Sequence, residues 1–85
     1  MQITYHPSFK ESYSKLPLVV KKKAEKRENI FRINFFDGRL KTHKLHGKLK
    51  DMWSFSVDDK YRIVFKLSGR DVLFLDIGDH DVYKS

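Results

Sequence analysis

"DMWSFSVDDKYRIVFKLSGRDVLFLDI", residues 51–77, holds three apolar runs separated by two short turns. In the first run Trp53, Phe55 and Val57 alternate with serines. In the second, Tyr61, Ile63, Phe65 and Leu67 occupy one face while Arg62, Val64 and Lys66 occupy the other. The third, "VLFLDI", is a compact β-branched and aromatic run. A period of two in residues of this kind predicts strands. The connections "DDK" and "SGRD" carry turn residues and are too short for a crossover, so the three strands pair antiparallel as a meander.

Upstream the pattern changes. "MQITYH" alternates with Ile3 and Tyr5 on one side, a short opening strand that stops at Pro7. Ser8 followed three residues later by Glu11 has capping-box spacing and predicts a helix start, with Phe9, Tyr13 and Leu16 as its apolar stripe. Pro17 ends that helix and opens a second, expected to run to about Phe36 with Val20, Ala24, Arg27, Phe31 and Phe35 inward. Asp37-Gly38 is expected to close it through a left-handed glycine cap. From Asp37 to about Asp51 no clean period is visible, and an ordered segment of that kind in a small domain often has a functional task. Grouped helices beside grouped strands read as α+β: one domain over residues 1–85, with a helical hairpin on one face of a twisted antiparallel sheet.

The chain has 85 residues, 40% of them hydrophobic, and no cysteine. One core is all it can close, without disulfides or thiolate metal sites. No apolar run approaches the roughly 18 residues of a membrane span, and the first residues lack a secretory pattern, so a cytoplasmic protein with no membrane partner is expected. The net charge of +7 is concentrated: residues 21–50 carry eleven Lys/Arg against three acids, whereas residues 51–85 carry five against seven. Such a zone suits a polyanion or an acidic protein partner. Arg39, Lys41, Lys44, His46, Lys48 and Lys50 fall in its aperiodic part and are the candidate RNA-binding residues.

Four histidines are available. His6 sits at a strand-to-helix junction and reads as structural, while His43 and His46 lie in the basic loop and His80 just past the last strand. His43, His46, Asp79, His80 and Asp81 contain nitrogen and oxygen ligands, but their spacing does not compel a metal, and Lys44 and Lys48 would oppose a cation. Acid–base chemistry on a phosphodiester fits better and needs no cofactor. One group takes the proton of the 2′-OH, another protonates the departing 5′ oxygen, and a cation stabilises the phosphorane; histidines and Arg62 match these needs. Arg62 also reads as an ordinary solvent-facing arginine, Tyr83 as a stacking, orienting or anchoring residue, and Trp53 as core. No nucleophile elbow, phosphate-binding loop or dinucleotide fingerprint occurs.

"THKLHGKLKDMWSFSVDDKYRIVFKL" together with "VLFLDIGDHDVYK" resembles the RelE/ParE toxin superfamily, above all its RelE/StbE and YafQ-like mRNA interferase branch. The matching positions are His43, Leu45, Gly47 and Leu49; Tyr61 to Val64; and Ile77, Gly78, His80, Val82 and Tyr83. The resemblance implies a ribosome-dependent endoribonuclease that cuts mRNA, held in a heteromeric complex by a cognate antitoxin. It makes His43 and His80 the acid–base candidates, Arg62 the phosphate contact and Tyr83 an orienting or stacking residue. YafQ-like enzymes often place a further histidine where this chain has Ser54 and Ser56, and RelE relies on lysine and arginine, which implies a share for Lys48 or Lys50. Other readings within the superfamily are a ParE-like inhibitor of DNA gyrase and a non-catalytic member that binds antitoxin or nucleic acid; the histidine-bearing tail argues against the gyrase branch.

Overall fold

The computed structural model describes residues 1–49, 51–79 and 82. Strand β1 (Ile3–Tyr5) leads into helices α1 (Pro7–Ser14) and α2 (Leu18–Ile33), followed by strands β2 (His43–Lys44), β3 (Trp53–Ser56), β4 (Arg62–Ser68) and β5 (Asp71–Gly78). The sheet order is β1-β5-β4-β3-β2. The expected meander is present as antiparallel β3, β4 and β5. The sheet is nevertheless five-stranded and mixed, because β1 pairs parallel with β5 and β2 adds an antiparallel edge beside β3. A two-residue edge strand has too few residues to display a period, which is why residues 37–51 read as aperiodic.

The core lies between the helices and one sheet face. Phe31 of α2 is fully buried and meets Phe55, Phe65 and Phe74 at ring-centroid distances of 4.8, 5.0 and 5.5 Å, tying the helix to the three central strands. Phe9 fastens α1 against Phe74 at 5.5 Å. Each such ring contributes roughly 1.5–3 kcal/mol by leaving water. Trp53 packs at the margin of this cluster as expected.

Three local expectations are corrected. The cap of α1 is His6, whose Nδ1 accepts the N–H of Ser8 at 3.0 Å; Ser8 is already helical, because Pro7 with its preset φ and missing donor takes the first helical position. Glu11 therefore pairs with Lys15 at 3.3 Å instead of closing a capping box. Helix α2 stops at Ile33, where Asn34 turns extended and its side-chain Oδ1 accepts from Phe36 N–H at 3.1 Å. Gly38 accordingly caps no α-helix. It opens a 3-10 turn, Gly38–Leu40, whose cap is Asp37.

The β3–β4 turn is built around Asp58. Its Oδ1 accepts the N–H groups of Lys60 at 2.9 Å and Tyr61 at 2.7 Å, and its carbonyl accepts the Ser56 hydroxyl at 2.7 Å. Burial pushes this carboxyl up, but the two backbone N–H bonds and Lys23, 3.4 Å from Oδ2, outweigh it and hold the group below its ordinary value. The turn thereby fixes where Arg62 begins the next strand. No helix among the described residues is long and apolar enough to cross a membrane.

Candidate active site on the open face of the sheet

Successive strand residues point to opposite faces, so the helix-packed side chains define which ones face away. His43 pairs with Ser54, Ser54 with Val64, and Val64 with Asp76, which gives one continuous rung across the face remote from the helices. The next rung on that face is Ser56, Arg62 and Gly78. His43 and Arg62 thus share a face, separated by two strands and two residues along the strand. At ~4.8 Å per strand and ~3.3 Å per residue their α-carbons stand roughly 12 Å apart.

The His43 ring is exposed, and its Nδ1 lies 3.0 Å from the carbonyl oxygen of Lys41. A carbonyl only accepts, so Nδ1 carries a proton, and in the neutral ring Nε2 is then the acceptor. Lys41 reaches this position through a left-handed backbone, φ 51°. Arg62 is half-buried beside Ser56, whose hydroxyl is committed to the Asp58 carbonyl.

The basic loop does not converge as a unit. Arg39 is bound by Asp37 through Nε at 3.0 Å and Nη2 at 2.9 Å, and that hydrogen-bonded guanidinium lowers the Asp37 carboxyl to about 2. Arg27 ties the same turn to α2 by donating to the Arg39 carbonyl. Lys44 pairs with Trp53, on the helix-facing side of the sheet, opposite to His43. Lys41, His46 and Lys48 are exposed. Lys50, His80 and Tyr83 lie outside the described residues. Their neighbours are placed: Val82 N–H donates to the Asp79 carbonyl at 2.9 Å, and the Val82 Cβ stands 3.5 Å from where a Cβ on Gly78, the partner of Arg62, would be.

Sequence periodicity missed Asp76. Strict alternation in β5 would put it on the core side with Val72 and Phe74, but Phe65 pairs with Phe74 while Val64 pairs with Asp76, leaving Leu75 as an extra residue. This bulge turns Asp76 to the open face. There a cavity of about 220 Å³ is lined by Asp76, Leu75, Val64 and His6 from the sheet side and by Leu49 and Met52 from the loop that folds over it. Two larger cavities of about 340 Å³ lie elsewhere, one walled by Tyr5, Phe9 and Tyr13 at the helices and one by Lys23, Arg27 and Asp58. None of the three is lined by His43 or Arg62; the smaller one alone shares the rung of His43, through Val64 and Asp76.

No family model matches the chain, and no curated protein matches it in sequence. Solved structures do match in shape. A YoeB/ParE toxin from Agrobacterium tumefaciens superposes with a TM-score of 0.79 at 19% identity, over 94% of this chain and 99% of that one. YafQ from E. coli strain BL21(DE3) gives 0.77 at 16% identity over 99% and 98%, and the E. coli DinJ-YafQ complex gives 0.75 at 17% over the same shares. The chain therefore has the fold of the RelE/ParE toxin superfamily.

Proposed function

We propose that this chain is the toxin of a type II toxin–antitoxin pair, a ribosome-dependent endoribonuclease that cleaves mRNA without a metal or other cofactor and acts in the cytoplasm. The observation that carries the reading is the placement of His43 and Arg62 on one sheet face remote from the helices, His43 with its Nδ1 at the Lys41 carbonyl and its Nε2 outside that bond. In this mechanism His43 Nε2 takes the 2′-OH proton, the 2′ oxygen attacks the adjacent phosphorus, and the P–O5′ bond breaks to leave a 2′,3′-cyclic phosphate. Arg62 neutralises the charge gathering on the phosphorane, the type of contribution a preorganised cation makes best in a partly buried setting. His80 protonates the departing 5′ oxygen and Tyr83 orients the strand, roles that follow from the family resemblance. Lys41, His46 and Lys48 hold the RNA backbone, assisted by Lys50, while Lys44 adds to the surrounding positive field and Arg39, paired with Asp37, contributes least. The structural neighbour solved as the DinJ-YafQ complex supports a cognate antitoxin as the protein partner.

Mapping of mRNA 5′ ends after induction tests the reading. Codon-phased cuts with wild type that vanish with folded His80→Ala and His43→Ala variants are expected. Growth arrest with inhibited DNA supercoiling and intact mRNA would overturn it in favour of a gyrase inhibitor.

A further inference from the structure

Among the described residues, the cavity beside the rung of His43 has a polar edge of His6, Ser8 and Asp76 and otherwise apolar walls. His6 caps α1 by accepting the Ser8 N–H at Nδ1, so the neutral ring must carry its proton on Nε2. This tautomer is the reverse of the one at His43, whose Nδ1 faces a carbonyl. Asp76, brought to the cavity by the β5 bulge, spends one lone pair of Oδ1 on the Ile77 N–H at 2.8 Å, which leaves its other acceptor sites for a ligand. Val64, Leu75, Leu49 and Met52 supply the apolar walls, Met52 with a sulfur suited to an aromatic ring. Drug-sized ligands occupy roughly 300–1,000 Å³, so about 220 Å³ suits one planar heterocycle and excludes a whole nucleotide chain.

From this arrangement we infer that the cavity is a base-reading pocket that takes a guanine. Guanine presents two adjacent donors, N1–H and the 2-amino group, that a single carboxylate can accept together, and beside them the O6 acceptor for the His6 Nε2–H. Adenine and uracil offer a carboxylate one donor group on the corresponding edge, and cytosine lacks the second donor. The pocket sits on the His43 rung, with His6 at its far end, roughly 19 Å from His43 across four strand spacings. It reads a base displaced along the strand from the cleaved bond and takes no part in the proton transfers. This inference rests on the RNA-cleaving reading for the source of the base.

Two arms test it, and each reads a different failure. In the first, GMP, AMP, CMP and UMP are titrated into the full-length protein while the His6 ring resonances and the Asp76 and Ile77 amides are followed by NMR. GMP is expected to bind ~5- to 150-fold more tightly than the other three, the range of discrimination that one well-formed bidentate contact provides. Asp76→Asn, which retains an acceptor for Ile77 N–H, is expected to erase that preference. His6→Asn keeps a good helix cap and removes the ring donor, so it is expected to weaken GMP binding without unfolding α1. Equal responses to all four nucleotides, or shifts confined to the basic loop, would overturn the inference. In the second arm the base preference of cleavage is compared between wild type and Asp76→Asn. Cutting with an unchanged preference sinks the pocket and leaves the nuclease intact. Absence of any cutting by wild type, with GMP still selected in the first arm, sinks the nuclease reading and supports the guanine site.

Discussion

The Nδ1 of His43 lies 3.0 Å from the carbonyl of Lys41, and Lys41 is the one non-glycine residue among those described with a left-handed backbone. A conformation that costs an ordinary side chain on the order of 1–2 kcal/mol thus aims a carbonyl at the ring and leaves Nε2 for the role of base in the proposed mechanism. His43→Ala should lower RNA cleavage by ~10²–10⁴-fold, the usual worth of one acid–base group. Because the ring is exposed, the same variant should unfold in urea within about 0.5 kcal/mol of wild type. A large loss of stability would recast His43 as a structural residue.

Lys41 separates geometry from charge. Lys41→Gly keeps access to the left-handed conformation and should preserve cleavage under saturating RNA, whereas Lys41→Val, branched at Cβ, should shift the carbonyl and slow cleavage at saturation. Single-turnover rates at high enzyme distinguish the two. Equal rates for both variants would show that the Lys41 carbonyl does not set the His43 ring.

The exposed loop lysines predict a salt dependence. Each single-strand phosphate contact contributes about 0.7 to the slope of log affinity against log salt, so Lys48→Ala should reduce that slope by about this amount. Arg39→Ala should change it less, since its guanidinium is already neutralised by Asp37 at 2.9 Å. Filter binding of a non-cleavable RNA between low and moderate salt provides the comparison, and an Arg39 effect larger than that of Lys48 would reverse the assignment.

Long-period features of this fold are legible in the sequence because they rest on side-chain alternation. The meander, the helical hairpin and the opposition of Arg62 to Ile63 and Phe65 all follow from it. Features set by one or two backbone bonds are not. The edge strand at His43 and Lys44 depends on pairing with Ser54 and Trp53, which no local pattern announces. The parallel docking of Ile3–Tyr5 beside β5 is a long-range event of the same kind. A one-residue bulge at Leu75 reverses the facing of Asp76, and a histidine replaces serine as the cap of α1 because Pro7 claims the first helical position. The candidate site was therefore half visible: His43 and Arg62 from residue type and family pattern, Asp76 and the cavity role of His6 from three-dimensional register alone.

Asp58 couples stability to the placement of Arg62. Removing its carboxylate by Asp58→Ala leaves the Lys60 and Tyr61 N–H groups without this acceptor and should cost about 1.5–3 kcal/mol, the range for hydrogen bonds to a charged group. The native carboxyl sits below its ordinary value of 3.8, so the unfolded chain binds the proton more readily. Asp58 accordingly stabilises fully above that value and loses its contribution as pH falls below it. Asp58→Asn keeps an acceptor for the turn but has no charge to titrate. Urea unfolding should therefore show wild type ahead of Asp58→Asn at pH 7, with the gap narrowing as the pH is lowered through the carboxylate range. Cleavage by Asp58→Ala should fall further than its folded fraction explains, because the turn delivers Arg62 to the face it shares with His43. A gap that widens in acid would refute the assigned pKa direction, and unchanged cleavage would uncouple the turn from Arg62.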